Sequence, residues 1–410
     1  MKYDVVILGA GAAGLMAAIT AALRNRTVLI IERSNKVGKK ILMSGGGRCN
    51  FTNKDLEFDN FLSKNKHFCK SALSRYTAWD FIDLVKSHDI DFEERKHSQL
   101  FCVHSAKDIV KMLLDECEEK NVKIIKNSEV KTVKDLEIKK PDKDRYRYRV
   151  CGHEIDNKTE NKFQIDCESL IIATGALSIP TLGGSDFGYR LAEQYNLPLV
   201  DLSASLVPFM FSDYLKPFCE SLSGVSLDAE VFCNNKSFRE NILFTHRGLS
   251  GPAILQISNY WIPGQEISID LLPDRNITDE LLEEKKLLNT SLLRNYLAPY
   301  LSKSLASKLQ DLLWEDIAEI PLSNISKKKL VHIGSILNRW VIKPSSTEGY
   351  RTAEVTKGGI DTDFINSQTM EVKDQRGLYF VGEVLDVTGH LGGFNFQWAW
   401  SSGFCAGLDA

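Results

Sequence analysis

The sequence lacks the patterns that mark three broad classes of protein. Its 410 residues contain no apolar run of about 18 residues, the length that a membrane span needs. The N-terminus enters a strand-like run at once, without the basic, apolar and cleavage regions of a signal peptide. Nine cysteines are dispersed with no C-x-x-C pair, which argues against a structural zinc site and an adjacent-cysteine redox pair. We therefore expect a protein of the reducing cytoplasm, with no membrane partner and no metal ligands.

The sequence also has little net charge. Its 51 Lys and Arg residues nearly balance its 54 Asp and Glu residues, which leaves a formal charge of −3. Without a large positive field, nucleic acid is not an expected partner, and we expect a small-molecule substrate. The oligomeric state stays open. The hydrophobic content of 43% is that of an ordinary globular protein, and the length suits two or three domains.

A glycine motif near the N-terminus organises the rest of the chain. Residues 3–8 form an apolar, β-branched run typical of a buried parallel strand, and Gly9, Gly11 and Gly14 follow as G-x-G-x-x-G. Gly9 permits a sharp turn, Gly11 lets the backbone approach a pyrophosphate, and Gly14 lets the next helix pack close to the strand. The helix N-terminus then offers free N–H groups to phosphates. The alternative is a glycine-rich turn in another kind of α/β protein.

An acidic residue follows at the distance that a ribose requires. Residues 28–31 form a second apolar strand, and Glu32 stands at its end, eighteen positions after Gly14. A carboxylate at this place accepts hydrogen bonds from free ribose hydroxyls. The motif therefore favours FAD or NAD over NADP.

A polar, glycine-rich loop spans residues 37–53, VGKKILMSGGGRCNFTN. Its triple glycine at 45–47 gives a backbone that folds tightly round a ligand and exposes N–H groups as an anion nest. The alternative is a flexible surface loop. Cys49 in this loop has no partner cysteine nearby in the sequence, so we expect it to pack rather than to react as a thiol.

A second glycine-opened helix lies near the C-terminus. Residues 378–381 are typical of a strand, Gly382, Glu383 and Asp386 follow it, and Gly392-Gly393-Phe394-Asn395 then opens a helix. The N-terminus of that helix can point at the far half of a long cofactor. NAD needs one such helix, whereas FAD, with its ribityl chain, uses a second one, so we predict FAD. The alternative is a helix that merely closes the domain.

Other segments predict the elements that lie between these motifs. LIIATG at 170–175 is typical of a buried strand whose end lies beside the nucleotide. Residues 68–88, 105–120 and 186–197 show helical spacing, and Ser105 is the predicted N-cap of the second of these helices.

The middle of the chain changes in composition. The polar stretch 134–162 contains alternating RYRYRV, which predicts a solvated β-hairpin arm whose arginines form an exposed strand face rather than a nucleic-acid contact. Residues 200–272 predict short antiparallel strands, and residues 276–340 are leucine-rich and helical, with caps at Thr278 and Ser302. We therefore predict a small barrel or sandwich that is interrupted by a helical insert.

Six short segments, spread from end to end, carry a resemblance to a known family. They are GAGAAG at 9–14, SGGGRCNFTN at 44–53, ATG at 173–175, FTHRGLSGP at 244–252, VTKGG at 355–359 and GEVLDVTGHLGGFNFQWAWSSG at 382–403. In this combination the chain resembles the bacterial FAD-dependent flavoproteins that include aminoacetone oxidase and the BaiN-type (YhiN-like) bile-acid reductases. The second and last segments are the specific ones. The chain departs from the family in having Ala176 where a second glycine usually follows ATG.

The resemblance implies an α/β fold: a glutathione-reductase-type FAD-binding Rossmann domain with an inserted antiparallel β-barrel domain and a small helical subdomain. The predicted bounds are 1–197 and 351–410 for the FAD-binding domain, 198–275 and 335–350 for the barrel, and 276–334 for the helical insert. The resemblance also implies which residues line FAD: Gly9, Gly11, Ala13, Gly14, Glu32, Arg33, Lys40, Ser44, Gly45, Gly47, Arg48, Cys49, Asn50, Val130, Ala173, Thr174, Gly175, Gly382, Glu383, Asp386, Gly392, Gly393, Phe394 and Asn395.

The expected activity is that of an FAD-dependent oxidoreductase, which passes a hydride between NAD(P)H and a small organic acceptor through flavin N5. Because no second G-x-G-x-x-G is present, we expect NADH or NADPH to bind only transiently. His246 and His390 lie in glycine-flanked loops and are candidates for acid–base work, or else hold their loops by hydrogen bonds. Two alternatives stay open: an oxygen-using oxidase of small amines, and a non-catalytic flavin-binding redox sensor.

Overall fold

Two separate hydrophobic cores organise the chain in a computed structural model that describes residues 1–136, 145–155 and 161–410. The first unit comprises Met1–Ser203 and Val355–Ala410, and the second comprises Ala204–Glu354. From the sequence alone, these two boundaries are expected after residue 197 and before residue 351.

The chain up to residue 205 forms eleven described strands and six helices. They are β1 (Lys2–Leu8), α1 (Ala12–Leu23), β2 (Val28–Ile31), α2 (Lys39–Met43), β3 (Asn50–Asn53), β4 (Phe61–Leu62), α3 (Phe68–Arg75), α4 (Ala78–Ser87), β5 (Phe92–Glu94), β6 (Gln99–Cys102), α5 (Ala106–Glu119), β7 (Lys123–Ile125), β8 (Ser128–Asp135), β9 (Tyr148–Glu154), β10 (Lys162–Ile172), α6 (Phe187–Gln194) and β11 (Leu199–Ser205).

The rest of the chain supplies the second unit and then returns to the first. The middle elements are β12 (Phe209–Met210), α7 (Leu215–Ser221), β13 (Ser226–Cys233), β14 (Lys236–Phe244), β15 (Gly248–Ser250), α8 (Pro252–Ser258), β16 (Ile267–Asp270), α9 (Ile277–Lys286), α10 (Leu293–Leu301), α11 (Lys303–Leu313), α12 (Lys327–Asn338), β17 (Trp340–Ile342) and β18 (Ser346–Thr347). The last elements are β19 (Val355–Ile360), β20 (Glu371–Val372), β21 (Gln375–Phe380), β22 (Thr388–Gly389) and α13 (Phe394–Asp409).

A mixed sheet with a parallel centre and an antiparallel edge strand, β20, lies at the centre of the first unit. Its strand order is β20-β21-β10-β1-β2-β7, in which β1 pairs in parallel with β10 and β2, β2 with β7, and β10 with β21. Residues 5–8 of β1 are all buried, as expected for a strand that is covered on both faces. This order brings the carboxyl ends of β1, β2, β10 and β21 to one edge of the sheet, where ligands bind in open α/β folds.

The predicted hairpin arm is part of an antiparallel extension of this sheet. Strand β9 pairs antiparallel with both β8 and β10, while residues 137–144 and 156–160 lie outside the described part of the chain. The expectation of a solvated arm is wrong for one face, because Tyr148 and Val150 are fully buried. On the other face, Arg149 donates two hydrogen bonds to the carboxylate of Asp166 on the neighbouring strand. This agrees with an outward strand face whose arginine is neutralised within the protein.

Two helix predictions need correction. The stretch 68–88 is two helices, because Thr77 starts a new one: its side chain accepts from Asp80 N while Asp80 accepts from Thr77 N. Thr278 is not a cap, since Asn276 occupies the N-cap of α9. Ser105 and Ser302 do cap α5 and α11, as predicted.

The bounds of one strand and one further helix were also placed wrongly. The strand predicted at 170–175 begins earlier, at Lys162, and ends at Ile172. The helix predicted over 186–197 covers only Phe187–Gln194.

The second unit contains an antiparallel sheet and a group of helices. The strand order is β17-β16-β13-β14-β15-β12-β18, and α9 to α12 fall within the segment that was predicted to be helical. The described pairs run as an open path, so closure into a barrel stays a prediction. No helix in the described ranges is long and apolar enough to cross a membrane.

An ion pair ties the loop after β4 to the end of β19. Lys64 Nζ lies 2.7 Å from Asp361 Oδ2, and Asp361 Oδ1 accepts a hydrogen bond from Asp363 N. Burial alone would raise the pKa of Asp361, but the bonds from Lys64 and Asp363 lower it below its usual value of 3.8. A carboxyl group whose pKa is lowered by folding stabilises the folded state at pH values above its usual pKa. This stabilisation is lost as the pH falls through the lowered pKa.

Asp361→Asn should therefore lower the melting temperature at pH 7 by about 2–4 °C, because it keeps an oxygen acceptor for Asp363 N but loses the charged oxygen that accepts from Lys64. The difference from the wild type should close as the pH falls below the usual carboxyl pKa. Thermal denaturation at several pH values measures this, with Lys64→Met as the matched loss of the other partner. A deficit that is equal at every pH would contradict the ion-pair account.

Candidate functional site

The glycine motif forms a tight turn at the carboxyl end of β1. Gly9 has φ +104°, and a Cβ there would stand 2.5 Å from the Ala173 carbonyl oxygen. A Cβ on Gly14 would stand 2.0 Å from Gly9 O, whereas one on Gly11 would meet no atom within 4 Å. Gly9 and Gly14 are therefore needed by the fold itself, while Gly11 borders open space at the start of α1.

The start of α1 is suited to an anion. Gly11 is its N-cap, no side chain caps it, and its first turn holds no acidic residue. The first amides of the helix and its positive dipole end are therefore available to a phosphate group.

Glu32 is fixed directly against the glycine turn. Its Oε2 accepts from Ala10 N at 2.7 Å, and its Oε1 accepts from Ser34 N at 2.7 Å. Each carboxylate oxygen keeps a further lone pair for a ribose hydroxyl. The backbone of Glu32 also accepts from Ser128 N, which brings β8 and Val130 alongside. Arg33 next to it is exposed and lies 3.6 Å from Glu129.

The triple glycine forms a bend of unusual backbone conformation. Gly45, Gly46, Gly47 and Cys49 all have positive φ, between 48° and 86°. A Cβ on Gly46 or Gly47 would meet nothing within 4 Å, so the bend is open on that side. Cys49 is fully buried, and burial raises the pKa of its thiol well above the ordinary range. This agrees with a packing role and not with a reactive thiolate.

The C-terminal glycines open helix α13 in the same way. Gly393 is the N-cap at φ 94°, without a side-chain cap and without an acid in the first turn. A Cβ on Gly393 would stand 2.5 Å from Thr52 O. Asn395 clamps the preceding loop, since its Oδ1 accepts from Gly389 N and its Nδ2 donates to Gly389 O. Its side chain therefore shapes the helix entrance, while Phe394 packs edge-on against Phe61.

Hydrogen bonds join this C-terminal loop to the glycine bend and its neighbours. Asn53 Nδ2 donates to Gly392 O at 2.9 Å, and Thr52 Oγ1 donates to Gln397 Oε1 at 2.7 Å. Strand β4 pairs with β22, and Asp386 accepts from the backbone N–H of the residue two positions after β4. Two motifs from opposite ends of the sequence therefore form one continuous surface in the first unit.

A partly buried network links Lys40 to Glu383. Lys40 Nζ lies 2.6 Å from Glu383 Oε2 and 2.6 Å from Ser178 Oγ. Glu383 Oε1 accepts from Ser178 Oγ and from Thr356 N. Ser178 and Thr356 were missed by the sequence analysis, because isolated Ser and Thr residues give no signal in a sequence. Thr356 does lie in the VTKGG segment, which the resemblance singled out without giving it a role.

The ATG segment lies beside the glycine turn, and its predicted place beside the nucleotide stays a prediction. Ala173 O faces Gly9, Gly175 has φ +68°, and a Cβ on Gly175 would lie 4.0 Å from Glu383. The Thr174 hydroxyl is buried and has no hydrogen-bond partner among the described residues. Buried hydroxyls rarely stay unpaired, so this atom is consistent with a site that a ligand completes.

The two candidate histidines have different settings. His390, in the first unit, is 8% exposed, and its backbone N–H donates to Asn60 O at 2.8 Å. His246, in the second unit, is exposed in a turn that Thr245 closes through bonds to the backbone of Gly248. Thr245 therefore contributes to closing this turn, and both roles considered for the His246 ring stay predictions.

These features fit a long dinucleotide cofactor. Two uncapped helix N-termini, one fixed carboxylate and an open glycine bend lie in a single unit, at the edge where the parallel strands end. FAD has the matching parts, namely a pyrophosphate, an adenosine ribose and a second, flavin-bearing half. Gly46 and Gly47 leave room on their open side for a ring to approach the backbone.

Gly11→Ala should separate cofactor binding from folding. Gly11 has φ −87°, which alanine adopts freely, and its Cβ would touch no protein atom within 4 Å. We expect a melting temperature of the FAD-free protein within about 2 °C of the wild type and a markedly lower flavin absorbance per protein. Gly14→Ala is the contrast, because its Cβ would overlap Gly9 O and should destabilise the fold. Full FAD occupancy in Gly11→Ala would contradict the placement of the pyrophosphate.

Known proteins resemble this chain over nearly its whole length. The chain is 47% identical over 409 residues to ribosomal RNA dihydrouridine synthase of Escherichia coli (strain K12), covering 100% of this chain and 98% of the relative. A Haemophilus influenzae protein of the same name is 46% identical, with 98% and 97% covered. The 3-dehydro-bile acid delta(4,6)-reductase of Clostridium scindens is 27% identical, with 98% of both chains covered.

A solved structure shares the fold. The Mycobacterium smegmatis Sdh1 complex in the apo form superposes with a TM-score of 0.50 at 16% identity, covering 100% of this chain and 68% of that chain. At this identity the likeness shows the fold alone. The family model described as "HI0933-like protein Rossmann domain" matches residues 3–409. The chain therefore belongs to the HI0933-like family of Rossmann-domain proteins and is an FAD-dependent oxidoreductase.

Proposed function

We propose that this protein reduces a uridine in ribosomal RNA to dihydrouridine. The observation that carries the proposal is the identity of 47% and 46% to two proteins named ribosomal RNA dihydrouridine synthase, over nearly the whole length of each chain. The expectation that nucleic acid is not a partner is not confirmed, and this proposal replaces it. In place of the expected small organic acceptor, the proposed hydride acceptor is one uracil base within the RNA polymer.

The proposal assigns parts of FAD to parts of the site. The turn at Gly9–Gly14 and the start of α1 hold the pyrophosphate, Glu32 binds the adenosine ribose, and Val130 lies at the adenine. The bend at 44–50 and the start of α13 hold the flavin end. We assign the remaining predicted FAD-lining residues to the walls of the same site. Asn395 and Asp386 contribute by fixing the C-terminal loop through hydrogen bonds to backbone N–H groups.

The chemistry needs a hydride, a proton and stabilisation of negative charge. When bound, reduced FAD supplies a hydride, which adds to C6 of the uracil ring. The ring then needs a proton at C5, and we propose that His390 provides it, because its loop is fixed by Asn60 and by Asn395. The amides at the start of α13 favour negative charge at the nearby end of the flavin.

NADH or NADPH is the proposed electron donor, and it binds without a nucleotide fold of its own. The cytoplasm is the proposed compartment, which agrees with the nine cysteines being free. We also propose that the sheet of the second unit forms the predicted barrel, with α9 to α12 as its helical insert. The amine oxidase and redox-sensor alternatives gain no support from the names of the relatives.

A second candidate function has one observation in its favour. The Clostridium scindens relative is a bile acid reductase by name and aligns with 98% of this chain. Reduction of an unsaturated small molecule is therefore the alternative, although the identity of 27% is much lower.

The test starts under anaerobic conditions. We expect NADH or NADPH to bleach the flavin band and ribosomal RNA that lacks the modification to restore it, with a gain of two hydrogens in one nucleotide by mass spectrometry. Restoration by a 3-oxo steroid and not by RNA would favour the alternative. Bleaching by a small amine, with peroxide formed in air, would instead show the oxidase.

The two histidines can be separated by matched variants. His390→Gln should keep bound FAD and its bleaching by the nicotinamide, but lower the rate of RNA reduction by at least about 10²-fold, because proton transfer to C5 is lost. His246→Gln is the control and should change this rate by less than about threefold. Stopped-flow reoxidation by RNA measures both. The opposite pattern would assign the proton transfer to His246.

A further inference from the structure

Positive charge is concentrated in one part of the sequence. Residues 33–75, which we call the basic segment, contain ten Lys and Arg residues and only three Asp and Glu residues. The whole chain has a formal charge of −3, so the rest of the protein is clearly acidic. The small net charge is therefore the sum of a basic segment and an acidic remainder, and the charge is distributed unevenly along the chain.

Half of these basic residues are neutralised by acids elsewhere in the first unit. Arg33, Lys40, Arg48, Lys54 and Lys64 each lie within 4 Å of a Glu or Asp carboxylate that belongs to another segment. The acids inside the basic segment do not pair with its remaining cations in any described contact.

The other half have no carboxylate partner within the described residues. Lys36 and Lys66 are exposed and make no described side-chain contact, Lys70 lies over the Phe58 ring, and Arg75 donates to a backbone carbonyl. The group is completed by Lys39, which is partly exposed at the start of α2. Five cations thus lie at or near the surface without a carboxylate partner, so their charge is available to an external anion.

The basic segment also contributes residues to the proposed flavin end of the site. It contains the bend at 44–47, and its strands β3 and β4 bind the loop that opens α13. The pyrophosphate of FAD can neutralise only a small part of this charge, and its proposed place is at the start of α1. The charge of the unpaired cations therefore stays available to a larger anion.

We propose that the basic segment binds the phosphate backbone of the ribosomal RNA substrate and delivers a uridine to the flavin. This inference rests on the proposed function and names the surface that the RNA uses. Unpaired Lys and Arg side chains gain affinity for RNA mainly by releasing its condensed counterions. Because such contacts carry no base information, they position the RNA, and the choice of uridine is made at the flavin.

Charge reversal tests this surface with a matched control. Lys36→Glu/Lys66→Glu removes two exposed, unpaired lysines of the basic segment. Lys327→Glu/Lys328→Glu makes the same change of charge at two exposed lysines that begin α12 in the second unit and have no described ion-pair partner. The probe is fluorescently labelled, deproteinised ribosomal RNA, and the readout is fluorescence anisotropy over a range of KCl concentrations.

The first variant should bind the RNA at least about tenfold more weakly, and the slope of log affinity against log salt should become shallower by about 0.7–0.9 for each lysine. The control should change affinity by less than about threefold. Both variants should retain the flavin absorbance and melting temperature of the wild type. The milder Lys36→Gln/Lys66→Gln should show an intermediate loss.

Equal losses in both variants would show a general charge effect and overturn the inference, as would unchanged affinity in the first variant. A loss of RNA affinity that is confined to the first variant supports RNA binding by the basic segment, whether or not dihydrouridine is formed. A wild type that binds RNA in this way and yet forms no dihydrouridine would contradict the proposed function alone. If Lys36→Glu/Lys66→Glu forms dihydrouridine at an unchanged rate and binds RNA with unchanged affinity, only the proposed RNA-binding role of the basic segment is contradicted.

Discussion

Close backbone packing between helices α1 and α13 is the constraint on which the site depends. A Cβ on Gly403 would stand 2.4 Å from Ala13 O, and one on Gly407 would stand 2.5 Å from Ala17 O. Only glycine permits an approach of this kind without a steric clash. The two helices therefore lie against each other, although they come from opposite ends of the chain. Their glycine-opened N-termini can serve two parts of one cofactor because this packing fixes them in a single unit.

Buried polar contacts then fix the loops at those helix ends. Thr52 bonds to Gln397 and Asn53 to the carbonyl of Gly392, while Asn395 closes the loop on itself. A buried polar group without a partner costs stability, so such bonds specify one arrangement of the loops. The loops are therefore set before a ligand arrives, which reduces the entropy that binding must overcome.

Charge has two distinct uses in the first unit. Lys40 and Glu383 neutralise each other inside a polar network, where an isolated charge would be costly. The unpaired lysines of the basic segment lie at the surface, where water solvates them and a polyanion can exchange with their counterions. The formal charge of −3 averages over these two situations and over the acidic remainder. Net charge was for that reason a weak ground for excluding nucleic acid.

The sequence by itself determined the local chemistry of this protein. The spacing of Gly9, Gly11 and Gly14, the acid at Glu32 and the second glycine-opened helix were readable, because each depends on neighbouring residues whose order is fixed. The tertiary structure decided what distant residues do together. The structure pairs Glu383 with Ser178, and it joins the Asn53 side chain to the carbonyl of Gly392. It also pairs half of the cations in the basic segment with distant acids, as Lys64 pairs with Asp361. Neither propensity nor spacing carries that information, since it arises only when packing brings separate segments into contact.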